Sequence, residues 1–397
     1  MSALAQKHGA INLSQGFPDF DAPPELLARV SYHLNHGHNQ YAPLAGIPEL
    51  RQAIADKVES LYLAPDVPQH RGNISDTRVS AARVDPEHEI AVTPGATEAI
   101  YAAVTALIHP GDEAILFDPA YDTYDPSVRL NGGIAHHVPM YYPEFGIDWQ
   151  RVGDTINDRT RLILINSPHN PTGSVWQQSD IDALTQLTRD RNITLISDEV
   201  YEHICFDGHN HLSLLSYPEL REKSFVISSF GKTNHTTGWR IGYCIAPPHL
   251  MREFLKIHQF INFSTNTPMQ YAIADFLRST PQHYLGLSEF YQRKRDLFCG
   301  LLKPSRFSFV PSAGTYFQLL DYSNLTEASP TQEVAGRTES GNRGDLELAR
   351  RLTIEHKVAS IPVSVFYQQP PQQKILRFCF AKDDATLEQA ARILCSL

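Results

Sequence analysis

The chain has 397 residues and a formal charge of -10, with 34 Lys and Arg against 44 Asp and Glu. Hydrophobic residues at 42% and aromatics at 10% exclude a disordered chain, and the acidic balance argues against a general nucleic-acid surface. Such a length suggests two domains.

In chain order, short β-rich apolar runs alternate with helical patterns. An apolar run before Thr93 leads into the helical pattern Ile100, Ala103, Val104 and Leu107, and strands are expected over 114–117, 162–166, 194–197, 225–228 and 241–246. That alternation predicts an α/β fold with a mainly parallel sheet covered by helices. After about residue 285 a smaller α/β unit follows: a strand over 316–320, a helix around 346–356, a strand over 375–380 and a closing helix from Ala385. The N-terminal stretch is expected to pack with it, giving a large domain over 31–284 and a small domain from 1–30 and 285–397. Two segments, 70–84 and 326–344, are rich in Gly, Ser, Thr and Arg and read as polar surface insertions.

Targeting signals are weak. Residues 1–10 lack the layout of a signal segment, and no apolar run reaches the ~20 residues of a membrane span. Cys205, Cys244, Cys299, Cys379 and Cys395 follow no paired spacing, so a reduced, cytoplasmic compartment is expected and the sequons at Asn73 and Asn192 are incidental.

The chemistry gathers around Lys232, in Ser228-Ser229-Phe230-Gly231-Lys232-Thr233 behind the apolar segment 225–227. A lysine so placed can lose its proton and attack an aldehyde carbon, which is Schiff-base chemistry. Pyridoxal 5'-phosphate is the aldehyde that fits. Asp198 ends the apolar run 193–196, where its carboxylate would emerge at the carboxyl end of a buried strand and keep a pyridine nitrogen protonated. Tyr201, three residues on, and Asn170 in Pro168-His169-Asn170-Pro171-Thr172-Gly173 can donate to the ring oxygen. For the phosphate, Gly95, Ala96 and Thr97 open a helix whose backbone amides would face an anion; Ser229 adds a hydroxyl and Arg240 a fork of donors.

These segments, in this order, resemble the class I/II aminotransferases of pyridoxal-phosphate fold type I, from Ile11 to about Lys382. Within that family they look most like methionine aminotransferases and the kynurenine and glutamine transaminases. The resemblance rests on 11–19, Asn39-Gln40-Tyr41, Gly95-Ala96-Thr97-Glu98, Phe117-Asp118-Pro119, Asn170-Pro171-Thr172-Gly173, Asp198-Glu199-Val200-Tyr201 and Ser229-Phe230-Gly231-Lys232. It implies a seven-stranded sheet in the large domain, Lys232 as the Schiff-base lysine, and Tyr121 stacked on the ring. It also implies that Arg377 takes the substrate α-carboxylate with help from Asn170 and the backbone of Gly16. Tyr41 and the stretch 262–267 resemble parts given by a second subunit, which implies a homodimer with shared sites. The activity implied is ping-pong transfer of an amino group to a 2-oxo acid, with Lys232 as the general base.

A pocket lined by Phe17, Tyr41, Tyr121, Phe263 and Tyr316 would favour methionine or another bulky or aromatic amino acid. Two alternatives stand beside this: a carbon-sulfur β-lyase on the same cofactor, and a non-catalytic cofactor-binding regulator, for whose DNA-binding module no room precedes Ile11. The family usually carries a longer N-terminal arm than the ten residues before Ile11. Gly231-Lys232-Thr233 is no P-loop, because Val226 stands where that motif needs glycine. His33, His36 and His38 precede Asn39-Gln40-Tyr41 with no cysteine or carboxylate set at ligand spacing; neither there nor at His203, His209 and His211 is a metal expected, and the histidines read as exposed.

Overall fold

The computed structural model describes residues 1–64, 83–325 and 344–397. Most of both polar segments predicted as insertions lies outside these residues, as does Asn73. The strands are β1 (Ile11–Asn12), β2 (Ile90–Thr93), β3 (Glu113–Asp118), β4 (Ile134–Pro139), β5 (Thr160–Asn166), β6 (Thr194–Asp198), β7 (Ser224–Ser229), β8 (Gly242–Ile245), β9 (Phe317–Asp321), β10 (Val358–Ala359), β11 (Ile361–Pro362) and β12 (Ile375–Cys379).

Seven of them form one sheet in the order β2-β8-β7-β6-β5-β3-β4, in which β8 alone runs against the rest. Helices cover both faces, so the inner strands carry unbroken apolar runs: Leu162, Ile163, Leu164 and Ile165 are all at most 2% exposed. Gly242 opens β8 because a side chain there would stand 2.8 Å from the Ser228 carbonyl oxygen and 2.9 Å from the Ala96 nitrogen. The helix Ala96–Leu107 thereby lies close against the sheet, with Ile100, Ala103 and Val104 buried.

The later strands make a three-stranded antiparallel sheet, β11-β12-β9, while β1 pairs in parallel with β10 through Ile11 with Val358 and Asn12 with Ala359. The helices Leu287–Leu302 and Asp384–Cys395 pack on one another beside them. The helix expected around 346–356 runs from Gly344 to Ile354. Strand β4, Ile-Ala-His-His-Val-Pro, was not expected, because two histidines interrupt its apolar pattern; they are held by carboxylates, His136 by Glu113 and His137 by Asp118 and Asp125.

Three histidines correct the expectation of exposure. His33 is buried between His38 and Asp275, His211 is buried against Glu199, and the His203 side chain is only 7% exposed. His33 is bonded through both ring nitrogens, whereas His211 is bonded through Nε2 alone and keeps its Nδ1 buried without a partner. Among the described residues no group of three or more His, Cys, Asp or Glu could hold a metal ion, and no helix is long and apolar enough to cross a membrane.

Candidate active site

Strand ends bring the reactive side chains to one place. β5 ends in Asn166, β6 in Asp198 and β7 in Ser229, while β2 leads through Gly95 into the helix Ala96–Leu107; these strands run parallel, so their carboxyl ends share one edge of the sheet. In such sheets that edge is where ligands bind. A cavity of about 90 Å³ lies there, walled by Lys232, Asp198, Tyr201 and Asn170, by Ala96, Thr97, Ser229 and Arg240, and by Tyr121.

Lys232 sits in the single turn Phe230–Thr233, started by Ser229, whose Oγ accepts from the Gly231 N–H at 3.2 Å. Its Nζ lies 5.8 Å from the Tyr201 ring centre and 5.7 Å from that of Tyr316. Burial pushes its pKa down to about 8, with Cys379 and Asp198 opposing and the Arg240 and Arg377 charges assisting. The neutral amine that a nucleophile or base must be is therefore about a tenth of the whole at pH 7 and about half at pH 8.

Asp198 is 4% exposed and burial raises it to about 6. Tyr124 Oη donates to its Oδ2 at 2.6 Å, and the Val200 N–H donates to Oδ1 at 3.3 Å; both favour the ionised form, as does Lys232. A cation placed against this carboxylate would remove the remaining cost of its charge. The Tyr201 hydroxyl is pushed up by burial and stays a donor.

The anion seat is built on backbone. Gly95 caps the helix at φ 88° with no side-chain cap bond, leaving the first amides free, and Ala96 and Thr97 face the cavity. A Cβ on Gly95 would lie 2.6 Å from Arg240 Nη2. Arg240, in the left-handed region at φ 57°, donates from Nη1 to the Thr237 carbonyl at 3.1 Å.

Arg377 lies next to the cavity, behind Asn170. Nη1 donates to Asn170 Oδ1 at 2.7 Å and Nη2 to the Ser14 carbonyl at 3.1 Å, and the guanidinium lies 4.0 Å from the Phe317 ring centre. Its Nε is buried without a partner, an unspent donor in a place that excludes water. The Gly16 carbonyl accepts from Tyr316 Oη at 2.7 Å, and a Cβ on Gly16 would stand 2.5 Å from Phe317. Of the five aromatic residues expected to line the pocket, Tyr121 alone is in the cavity wall; Phe17, Tyr41, Phe263 and Tyr316 are not, and Tyr41 is the most exposed of them. It is 83% exposed, packs edge-on against Phe263, and takes no part in the cavity wall of a single chain.

Two residues were missed by sequence reasoning. Tyr124 holds Asp198, and its position three after Tyr121, at the start of the helix Tyr124–Leu130, was the available signal. Asn166 donates to the Asp198 carbonyl at 2.8 Å and accepts from the Asn170 N–H at 2.8 Å, joining the ends of β5 and β6. Behind them a buried network holds the turn after β6. Glu202 accepts from Lys57 at 2.7 Å, Tyr62 at 2.6 Å, Tyr243 at 2.8 Å and Ser228 at 2.6 Å. Burial alone would raise Glu202, but the Lys57 charge and these donors drive it well below the usual carboxylate range.

The donor set fits pyridoxal phosphate. Free helix amides with Ser229 and Arg240 suit a phosphate dianion, a buried carboxylate suits a pyridinium nitrogen, and the uncapped Gly95 leaves room that any Cβ would fill.

Residues 8–394 match the family model described as "Aminotransferase class I and II". The chain is 47% identical to methionine aminotransferase of Escherichia coli strain K12 over 394 residues, covering 99% of this chain and 94% of that protein. It is 32% identical to kynurenine–oxoglutarate transaminase of Dictyostelium discoideum, covering 98% and 91%. A solved Escherichia coli structure, described by a methionine aminotransferase function, superposes with a TM-score of 0.89 at 47% identity, covering 100% and 96%.

Proposed function

The chain belongs to the class I and II aminotransferases, pyridoxal-phosphate-dependent transaminases, and from that premise we propose that it moves the amino group of methionine or a similarly bulky amino acid to a 2-oxo acid. The observation that carries the reading is the buried Lys232 amine, at a pKa of about 8, in one cavity with Asp198 and Tyr201. The family membership sets aside the non-catalytic regulator.

When bound, the cofactor supplies an aldehyde carbon and an electron-withdrawing ring. Lys232 would give the amine that binds the aldehyde carbon and, when free, the base at the substrate α-carbon. Asp198 would set its carboxylate against the ring nitrogen, held in place by Tyr124. Tyr201 and Asn170 would donate to the ring oxygen, while Gly95, Ala96, Thr97, Ser229 and Arg240 would hold the phosphate and Tyr121 would cover the ring. Arg377 takes the α-carboxylate with its unpartnered Nε and an adjacent Nη, oriented by Asn170 and Ser14 and flanked by Gly16.

Methionine is supported by the 47% identity over 99% of the chain. Among the described residues Arg240 is the one arginine in the cavity wall, and it is taken up by the phosphate, which leaves no arginine there for the second carboxylate of a dicarboxylate. A homodimer is supported by an apolar patch that one chain leaves bare: Tyr41, Phe260 and Phe263 at 83%, 86% and 51% exposure, with Ile261 and Leu34. A second copy seated there would bring Tyr41 and 262–267 towards the other chain's site. The division into a large domain over 31–284 and a small one from 1–30 and 285–397 is supported by the pairing of β1 with β10. A cytoplasmic location is supported by five free cysteines.

The test is an absorbance titration of the cofactor-loaded enzyme. A band at ~420 nm should fall to ~330 nm with methionine and return with a 2-oxo acid. Release of a thiol, pyruvate and ammonia from an S-alkylcysteine with no need of an oxo acid would make the enzyme a β-lyase, and a band moved by aspartate but not methionine would discard the substrate.

A further inference from the structure

One loop carries two of the site's aromatic side chains. Residues 118–125 run from the end of β3 into the helix Tyr124–Leu130 and include both Tyr121 and Tyr124. Each end of the loop is a carboxylate, and both bind the same imidazole on β4: His137 Nδ1 is 2.7 Å from Asp118 Oδ1, and its Nε2 is 3.0 Å from Asp125 Oδ1. The second oxygen of Asp118 accepts from the Gln368 N–H at 2.8 Å, and the Ala120 N–H donates to the Phe366 carbonyl at 2.7 Å. Phe366 in turn has its ring centre 5.1 Å from the Arg377 guanidinium. The loop, the imidazole and the arginine are thus one connected assembly.

A carboxylate only accepts, so two carboxylates on one imidazole require both nitrogens to donate, which is possible only for the imidazolium. We propose that His137, held as a cation, is a positioning residue that clamps the loop bearing Tyr121 and Tyr124 and, through Asp118, seats residues 366–368 against Arg377. This rests on the reading of Arg377 as the carboxylate-binding arginine. The ionisable groups at His137 are Asp118 from β3, Asp125 and its partner Arg129 from the helix Tyr124–Leu130, and Tyr367, whose hydroxyl donates to the Met140 carbonyl. Arg151 and Asp154 of the helix Trp149–Thr155, also packed on β4, make no bond to the imidazole among the described residues.

Burial works against the charge on His137, but the bonds to Asp118 and Asp125 outweigh it and raise its pKa above the ordinary histidine value. For a group raised on folding, the stability gained is complete below the unfolded value of about 6.5 and is lost as pH rises through the raised one. The clamp therefore weakens in alkali.

The experiment compares holoenzyme with His137→Gln, and separately Asp125→Asn, as a function of pH. The thermal-midpoint deficit of His137→Gln should be largest near pH ~6 and shrink above the raised pKa. KM for the amino donor should rise about tenfold at that pH, with kcat affected less and the cofactor band unchanged. Asp125→Asn should show the same pH trend at smaller size. A midpoint deficit constant across pH, or an unchanged KM, overturns the proposal. The thermal arm needs no turnover, so a wrong donor assignment leaves the clamp decided on its own.

Discussion

Replacing Tyr124 with phenylalanine removes one oxygen, and with it the shortest bond to the cavity's buried carboxylate. The Tyr124 Oη to Asp198 Oδ2 distance is 2.6 Å, and both residues are under 5% exposed, so no water can take the hydroxyl's place. A hydrogen bond to a charged group in such surroundings contributes roughly 1.5–3 kcal/mol. Because the bond favours ionised Asp198, its loss moves the carboxyl up from about 6 by roughly one to two pH units, at about 1.4 kcal/mol each. Without cofactor the variant would then hold half or more of Asp198 protonated at pH 7, and its carboxylate would be a weaker partner for a positive ring nitrogen. The half-reaction with methionine, followed by stopped-flow loss of the ~420 nm band, should slow by roughly 10- to 100-fold, with its acid limb displaced upward. KM should move little, since Arg377 is untouched. An unchanged rate and acid limb in a variant that binds cofactor normally would mean that Asp198 is held by Asn166 and Val200 alone, and the reasoning would fail.

Three further outcomes are expected. Lys57→Met leaves Glu202 charged and buried without its cation and should destabilise the protein by about 3–5 kcal/mol, read as a lowered urea midpoint; a wild-type midpoint would refute the network's role. Gly95→Ala forces a side chain into φ 88° and against Arg240, so cofactor affinity measured by equilibrium dialysis should fall, and equal affinity would remove Gly95 from the phosphate seat. In the cofactor-free protein, Asp198 sits above its ordinary value of 3.8, so the stability it gives as a neutral acid is present at low pH and is lost as pH rises through about 6. The thermal-midpoint gap between loaded and cofactor-free protein should therefore widen between pH ~4 and ~7; a gap independent of pH would contradict the placement of the ring nitrogen.

Legibility in the sequence followed how local each signal was. The runs that became β5, β6 and β7 are buried on both faces, so they read as unbroken apolar stretches, and the residues closing them were visible from chain position alone. Strand β4 was hidden because His136 and His137 look polar in sequence and are neutralised only by Glu113, Asp118 and Asp125. Tyr124 was missed because its partner is 74 residues away, a pairing that no local pattern encodes. His33 was misread for the same reason, its acceptor Asp275 being 242 residues distant. Tyr41, 83% exposed, lies outside the cavity wall of the single chain, which nothing in its local pattern reveals.

The bond from Arg377 to the Ser14 carbonyl spans 363 residues, and the Cys379 N–H donates to the Leu13 carbonyl beside it. For a chain made from its N-terminus at about 5–20 residues per second, the segment around Ser14 leaves the ribosome roughly 20–70 s before the strand it will hold. For the last part of that interval, roughly 7–26 s, strands β2 to β8 have all been made, with Lys232, Asp198 and the helix amides among them. Arg377, proposed to take the substrate carboxylate, is still missing. A nascent chain could thus meet its cofactor before it is able to grip an amino acid, and order of synthesis becomes order of competence.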